Sequence, residues 1–209
     1  MDDDDDILLK VLVVGDVAVG KTSLIHRYTN DEFKEDYKTT IGVEFALKPI
    51  EIDDRDINIQ LWDIAGQDRF IGLLRNFYMN ASAAIVVYDV TNPKTLENAA
   101  KWKADIDKKV RLEDGSPIPC ILIGNKCDLR EVEGNVCIEE EVAEDLAKKN
   151  NFLGSIETSA KKGTNVDRAC KALVRKALKA MRSNKVVKKQ DEHNIKLDRK
   201  KGNKKSGCC

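Results

Sequence analysis

Residues Ile7 to Thr22 read ILLKVLVVGDVAVGKT. The first half, Ile7 to Val14, is apolar and rich in β-branched side chains, which predicts a buried strand. The second half, Gly15 to Thr22, fits the pattern G-x-x-x-x-G-K-[ST], whose glycines let the backbone wrap closely around phosphate oxygens. A chance match is the alternative, but the strand before the pattern and the helical segment after it argue against chance. The region therefore predicts a phosphate-binding loop whose amide N–H groups and helix N-terminus attract anions.

The end of this loop carries its charge chemistry. Lys21 is expected to reach the β- and γ-phosphates of a nucleotide, and Thr22 is expected to ligate Mg²⁺. The candidate nucleotide-binding residues of the loop are Asp16, Val17, Ala18, Val19, Gly20, Lys21, Thr22 and Ser23.

The rest of the chain alternates short apolar strands with helical segments. Further strands are predicted at Glu44–Ile52, Ile57–Asp63, Ala83–Asp89, Cys120–Asn125 and Phe152–Glu157. Helices are predicted at Lys21–Tyr28, Lys94–Val110, Glu139–Asn150 and Asn165–Arg182. The alternation predicts an α/β fold, with a mostly parallel six-stranded sheet and helices on both faces. A polar turn between the second and third strands predicts an antiparallel hairpin, and Pro49 favours an edge position for the second strand.

A second motif follows the third predicted strand, at the edge of the sheet where such folds bind ligands. It reads DIAGQ, from Asp63 to Gln67. Asp63 can hold Mg²⁺ through water, the Gly66 amide can meet a γ-phosphate, and Gln67 can orient the attacking water. Thr40, in the polar loop before the second strand, is a candidate second Mg²⁺ ligand. Taken alone, the motif also fits an ordinary strand-to-turn connection, so its interpretation depends on the phosphate loop.

Two segments after later strands indicate which base the site binds. NKCD, from Asn125 to Asp128, follows one strand, and SAK, from Ser159 to Lys161, follows the last. Guanine presents two adjacent donors, and the Asp128 carboxylate can accept both, whereas adenine leaves it unmatched. Asn125 is expected to brace the loops and the Ala160 amide to face guanine O6, although an isolated NKCD would also fit a helix N-cap. The candidates here are Asn125, Lys126, Asp128, Ser159, Ala160 and Lys161.

These motifs together resemble the Ras-like small GTPases, over about Ile7 to Arg182, and within that group the sequence is most similar to Rab proteins. The Rab resemblance is carried by Thr39–Phe45, Trp62–Asp63, Gln67–Phe70 and the terminal Cys-Cys pair. The string WDIAGQ and the segments Phe45–Lys48, Lys101–Lys103 and Gly115–Pro119 resemble one Rab subgroup. That subgroup serves lysosome-related organelles and endosomal or mitochondria-associated traffic.

The resemblance implies a single Ras-like P-loop G domain over residues 7–182, between an acidic extension at 1–6 and a basic tail at 183–209. It implies a switch that cycles between GDP and GTP, hydrolyses GTP slowly with Mg²⁺, and uses Lys21 and Gln67 as catalytic residues. The implied partners are an exchange factor, a GTPase-activating protein, a dissociation inhibitor and effectors of vesicle traffic, with no nucleic acid. It adds six site residues: Phe33 against the guanine, Tyr37 over the phosphates, and the effector-facing Ile41, Phe45, Trp62 and Phe77.

The sequence ends in Cys208 and Cys209, after a tail with a net charge of +6 over residues 183–209. The last four residues are not a C-a-a-X box, because no cysteine stands fourth from the end. Rab-type proteins carry geranylgeranyl groups on such a pair, and two lipids plus a basic tail give lasting anchorage to anionic membranes. The expected location is the cytoplasmic face of endosomal or lysosome-related membranes, with a cytosolic pool. A metal-prone or merely oxidisable thiol pair is the alternative.

Composition excludes several other classes. The 209 residues are 42% hydrophobic, which suits one packed domain with tails. No run approaches the ~18 apolar residues of a membrane span, and the acidic start differs from a secretory signal. The other cysteines, Cys120, Cys127, Cys137 and Cys170, are scattered through predicted core elements, which indicates free thiols in a reducing compartment.

Two alternatives stay open from the sequence. Val17 and Ala18 depart from the usual Rab residues, and bulk beside the γ-phosphate site favours a scaffold that holds GTP and hardly hydrolyses it, although Gln67 argues against this. An ATP-using kinase shares the same phosphate loop, but Asp128 and the lack of a recognisable lid argue against it.

Overall fold

The computed structural model describes residues 7–35, 39–66 and 75–181. The strands are β1 (Ile7–Gly15), β2 (Val43–Glu51), β3 (Asp56–Ile64), β4 (Ala83–Asp89), β5 (Cys120–Asn125) and β6 (Ser155–Thr158). The helices are α1 (Lys21–Asn30), α2 (Arg75–Tyr78), α3 (Pro93–Lys109), α4 (Glu140–Lys149) and α5 (166–181), with a 3-10 turn at Cys127–Glu131. The strands form one sheet in the order β2-β3-β1-β4-β5-β6.

Strand direction follows the predicted pattern. β2 and β3 are antiparallel, and every other neighbouring pair is parallel. The predicted α/β fold, its mostly parallel six-stranded sheet and its antiparallel hairpin are therefore confirmed. Pro49 lies on β2 at the edge of the sheet, where the missing N–H costs no bond of a central ladder.

The last strand begins at Ser155, later than the predicted Phe152. The Phe152 N–H instead donates to the Ala147 carbonyl at 3.0 Å and closes the end of α4. Asn151 and Gly154 have φ values of +56° and +154°, so the chain turns here before β6 starts. The hydrophobicity of Phe152 reflects packing in the core and not membership of the strand.

Two buried clusters lie on opposite faces of the sheet, since they take alternate residues of β1. Val11 belongs to the cluster that includes Leu24 of α1 and Leu173 of α5. Leu12 belongs to the cluster that includes residues of α3 and α4, such as Trp102. Helices therefore cover both faces, as predicted. Among the described residues, no helix has the length and apolarity that crossing a bilayer requires.

The topology brings five strand ends together along one side of the sheet. Because β1, β3, β4, β5 and β6 run in one direction, their carboxyl ends meet there. The residues at these ends are Gly15, Ile64, Asp89, Asn125 and Thr158. Ligands of parallel α/β sheets bind at such an edge.

Gly15, at the carboxyl end of β1, is packed too closely against β4 to accept a side chain. It has a φ of +143°, and a Cβ there would lie 2.2 Å from the Val87 carbonyl oxygen. We expect Gly15→Ala to lower the free energy of unfolding by at least about 2 kcal/mol more than Gly154→Ala. Gly154 has a similar φ of +154° with no atom within 4 Å of the added Cβ, so it isolates backbone strain from the clash. Equal losses in urea unfolding would show that the Val87 contact is unimportant.

Candidate nucleotide site

A cleft of about 610 Å³ opens at this edge of the sheet. Many residues singled out in the sequence line it: Val17, Ala18, Gly20, Lys21, Thr22, Ser23, Phe33, Thr40, Gly66, Asn125, Lys126, Asp128, Ala160 and Lys161. Six residues that the motifs do not assign to the site also line it: His26, Lys34, Glu35, Thr39, Glu44 and Leu129. Phosphate, metal and base candidates therefore share one cavity.

The Lys21 ammonium is buried at the floor of the phosphate loop, with the residue 6% exposed. It donates to the Gly15 carbonyl at 3.0 Å and to the Asp16 carbonyl at 2.9 Å. Burial lowers the pKa of Lys21 to about 8, although the nearby carboxylates of Asp63 and Asp16 act in the opposite direction. Such a cation gains from a bound anion, because neutral carbonyl groups only partly replace its lost hydration.

Two residues of the loop shape the mouth of the cleft. Val17 is 43% exposed, so its branched side chain lies at the surface of the loop. Ala18 has a φ of +63°, the left-handed region that glycine tolerates best. Gly66 packs against this part of the loop, since an added Cβ would lie 2.5 Å from the Val17 nitrogen.

Three oxygen-bearing side chains converge beside Lys21. The Thr22 hydroxyl donates to Asp63 Oδ2, the Thr22 and Thr40 hydroxyls lie 2.8 Å apart, and the Thr40 hydroxyl donates to the same carboxylate at 3.4 Å. Burial raises the pKa of Asp63, against the Thr22 hydrogen bond and the Lys21 charge. Among the described residues, Asp63 Oδ1 is buried and has no hydrogen-bond partner. A carboxylate and two hydroxyls with an unmet oxygen fit Mg²⁺, which prefers oxygen ligands.

Asn125 joins the phosphate loop to the loop after β6. Its side-chain amide donates to the Val19 carbonyl at 3.0 Å, and its Oδ1 accepts from the Ala160 N–H at 3.1 Å. The residue is 1% exposed. Gly20 permits this approach, because a Cβ there would lie 2.4 Å from Asn125 Nδ2. Asn125 therefore contacts both loops, and the Ala160 N–H, which the sequence predicts to face guanine O6, donates to Asn125 in this structure.

The remaining base candidates form a polar rim. The Ser159 hydroxyl donates to Asp128 Oδ1 and accepts from the Lys162 N–H at 2.9 Å. Lys126 forms an ion pair with Asp89 at 2.6 Å, so its ammonium is held beside the end of β4. A further ion pair joins two exposed side chains, Lys161 and Glu35, at 3.0 Å across the mouth of the cleft.

Comparison with known proteins decides the family. A model described as the Ras family matches residues 10–179. The chain belongs to the Ras family. Human Ras-related protein Rab-7L1 is 46% identical over 175 residues, covering 83% of this chain and 84% of that protein. Human Ras-related protein Rab-32 is 42% identical over 205 residues, covering 97% and 89%, and Rab-32A of Dictyostelium discoideum is 47% identical over 177 residues, covering 82% and 78%.

Membership has a direct chemical consequence. The chain is a small GTPase of the Rab type, as the sequence motifs indicated. The alternative of an ATP-using kinase is therefore excluded. The cleft is accordingly the candidate site for GDP and GTP.

The aromatic residues predicted to face effectors lie together, with Phe45 on β2, Trp62 on β3 and Phe77 on α2. The rings of Phe45 and Trp62 are 6.0 Å apart, and those of Trp62 and Phe77 are 6.1 Å apart. Phe45 is 62% exposed, so it belongs to the surface and not to the core. Ile41 is 87% exposed and lies in the segment that leads into β2. The three rings form an aromatic cluster on this GTPase, and neither they nor Ile41 line the nucleotide cleft.

Some predicted site residues lie behind the cleft, and others lie outside the described residues. Four predicted site residues do not line the cleft but form hydrogen bonds to residues that do: Asp16, Val19, Asp63 and Ser159. Tyr37, Gln67, Cys208 and Cys209 fall outside the described residues. Their roles remain predictions from the sequence.

Arg27 contacts the base-binding loop, which the motifs did not reveal. Its guanidinium donates to the carbonyls of Ala160 at 2.8 Å and Lys161 at 2.9 Å. It also donates to the Asp31 carbonyl at 2.8 Å and carboxylate at 2.9 Å, where α1 ends. One side chain thus ties the base-binding loop to the helix that begins at the phosphate loop. Arg27 stands on the polar side of a short helix, where the sequence alone gives no signal of a partner so distant in the chain.

We expect Arg27→Gln to speed GDP dissociation roughly tenfold, because charge-assisted hydrogen bonds to two carbonyls of the base loop are lost. Stopped-flow release of a fluorescent GDP analogue measures this rate. Arg55→Gln is the control, because Arg55 lies at the exposed turn between β2 and β3, away from the cleft. Equal release rates for the two variants would contradict the role.

Proposed function

We propose that this GTPase cycles between GDP- and GTP-bound states and recruits effectors in vesicle or organelle membrane traffic. The observation that carries the proposal is the single cleft in which the Lys21 ammonium, the Thr22–Thr40–Asp63 oxygen cluster and the Asn125–Asp128 segment meet. A phosphate end and a base end at opposite sides of one cavity suit a nucleotide. The G domain proposed for this activity spans residues 7–182.

The phosphate end is proposed to work by positioning and charge. Amides of Asp16 to Ser23 bind the phosphates, and Lys21 neutralises the β- and γ-phosphates. Mg²⁺ would be held by Thr22, by Thr40 and, through water, by Asp63, and it would neutralise phosphate charge when bound. Gln67 orients the attacking water for in-line attack.

The base end is proposed to select guanine. Asp128 accepts the two donors of the guanine edge, and the Ser159 hydroxyl orients that carboxylate by donating to Oδ1. Phe33, at the mouth of the cleft, packs on the base. The stems of Lys126 and Lys161 cover its faces, and the Ala160 amide binds O6 while shared with Asn125.

The cycle is proposed to act by ordering the segments beside the surface that binds effectors. In the GTP state the γ-phosphate holds Thr40 and Gly66, and its loss releases the segments that carry them. Those segments flank the apolar surface of Ile41, Phe45 and the neighbouring aromatic rings, and exposed apolar patches of this kind suit partner proteins. An exchange factor, an activating protein and a dissociation inhibitor are the further proposed partners.

Nucleotide binding and single-turnover hydrolysis with Mg²⁺ test this function. We expect tight binding of GTP and GDP, a preference over ATP of ~10⁴-fold or more, and slow hydrolysis that Gln67→Leu abolishes. A matched activating protein should accelerate hydrolysis by about 10³ to 10⁵. Comparable ATP binding would contradict the guanine site. GTP binding without hydrolysis, even with the activator, would instead indicate a GTP-locked scaffold and direct attention to Val17 and Ala18.

The tail is proposed to anchor the protein to the cytoplasmic face of endosomal or lysosome-related membranes, with a dissociation inhibitor maintaining a cytosolic pool. Cys208 and Cys209 would each carry a geranylgeranyl group, and the net charge of +6 over 183–209 would attract anionic lipid.

We expect the doubly prenylated chain to stay on vesicles containing phosphatidylserine through flotation. Cys208→Ser or Cys209→Ser should leave one lipid and make binding readily reversible, because a single chain anchors weakly. The double serine variant should remain in the soluble fraction. Equal retention of the double variant would contradict anchorage through these cysteines. Raised salt, or a change from anionic to neutral vesicles, separates the electrostatic contribution.

A further inference from the structure

The Asp16 carboxylate is held by two side chains of α3. Asn98 donates its amide to Asp16 Oδ2 at 2.7 Å, and the Trp102 indole N–H donates to Asp16 Oδ1 at 2.9 Å. The two donors are four residues apart, so they lie on one face of the helix. Both oxygens of a carboxylate in the phosphate loop are therefore bound from outside the loop. We call Asn98 and Trp102 the α3 clamp.

The clamp is fixed to the rest of the molecule. The Trp102 side chain is buried in the core cluster between α3 and the sheet. The start of α3 is tied to the end of β4, because the Thr95 hydroxyl accepts from the Asp89 N–H at 3.0 Å and the Asn92 side chain caps the first turn. The α3 clamp therefore presents two donors from a rigid support.

The backbone of Asp16 is where three parts of the site meet. Its carbonyl accepts from the Lys21 ammonium at 2.9 Å. Gly66 packs on the same peptide, since an added Cβ would lie 2.4 Å from the Asp16 carbonyl carbon and 2.5 Å from the Val17 nitrogen. The orientation of this one peptide thus influences both the lysine and the start of the segment after β3.

We propose that Asn98 and Trp102 are positioning residues for the γ-phosphate side of the site. They hold the Asp16–Val17 peptide where Gly66 can close against it, and so favour the GTP-bound state over the GDP-bound state. The inference rests on the proposed function. The amides at the start of α1 serve the β-phosphate of both nucleotides, whereas the contact between Gly66 and the Asp16 peptide matters where a γ-phosphate is present.

The test compares the affinities of GDP and a non-hydrolysable GTP analogue, with Mg²⁺, in the full chain. Asn98→Asp places a carboxylate against Asp16, and Trp102→Phe removes the indole donor while keeping an aromatic ring. Each should weaken binding of the GTP analogue roughly tenfold and binding of GDP less than about threefold, because a hydrogen bond to a charged group is lost. Nucleotide titrations followed by fluorescence give both constants.

Two further variants separate positioning from loss of stability. Asp16→Asn combined with Asn98→Asp exchanges donor and acceptor, so it should restore the preference for the GTP analogue towards that of the wild type. Ile106→Val removes one buried methylene from the same helix, a turn beyond the clamp, and should leave the ratio of the two affinities unchanged.

The outcomes distinguish a failure of the positioning role from a failure of the proposed function. Equal losses of affinity for both nucleotides, matching the loss of Tm, would overturn the positioning role, as would a folded exchange variant that does not recover the preference. Wild-type protein that binds neither guanine nucleotide would overturn the proposed function itself.

Discussion

A single buried amide connects the two ends of the nucleotide cleft. Asn125 donates to the Val19 carbonyl of the phosphate loop and accepts from the Ala160 N–H of the base loop, at 1% exposure. In so dry a position, loss of either partner leaves a polar group without compensation, which costs about 1–3 kcal/mol. Gly20 follows from the same contact, because any side chain there would occupy the place of Asn125 Nδ2. The distance between phosphate and base ends is therefore a property of the core and not of the loops.

Other contacts extend this frame. Arg27 repeats the connection on the outer side, from α1 to the carbonyls of the base loop. The α3 clamp supports the opposite end of the phosphate loop through Asp16. In the same cleft, burial lowers the pKa of Lys21 and raises the pKa of Asp63, which favours the neutral form of each. Shifts of this kind accumulate where a site is built to receive charge.

The fold and most of the cleft followed from the sequence, because each motif stands at the carboxyl end of a strand and topology alone brings those ends together. The edge position of Pro49 was predictable because proline lacks the N–H that a strand inside the sheet donates to its neighbour. The contacts of Arg27, Asn98 and Trp102 were not readable, since they join residues far apart in the chain through side chains that look like ordinary helix positions. The start of β6 was predicted wrongly at Phe152, because an aromatic residue that packs in the core after a helix resembles the start of a strand.

The segments around the cleft differ in the contacts that hold them in place. The base loop and most of the phosphate loop are held by buried or partly buried hydrogen bonds from strands and helices, so their geometry has little freedom to change. Thr40 and Gly66 are held differently: Thr40 by bonds to the cluster around Asp63, and Gly66 by packing on the Asp16 peptide. Thr40 lies in the connection that leads into β2, and Gly66 lies in the connection that follows β3. In the proposed cycle, a γ-phosphate that binds both segments shifts their equilibrium with a few hydrogen bonds, because the frame around them is already fixed.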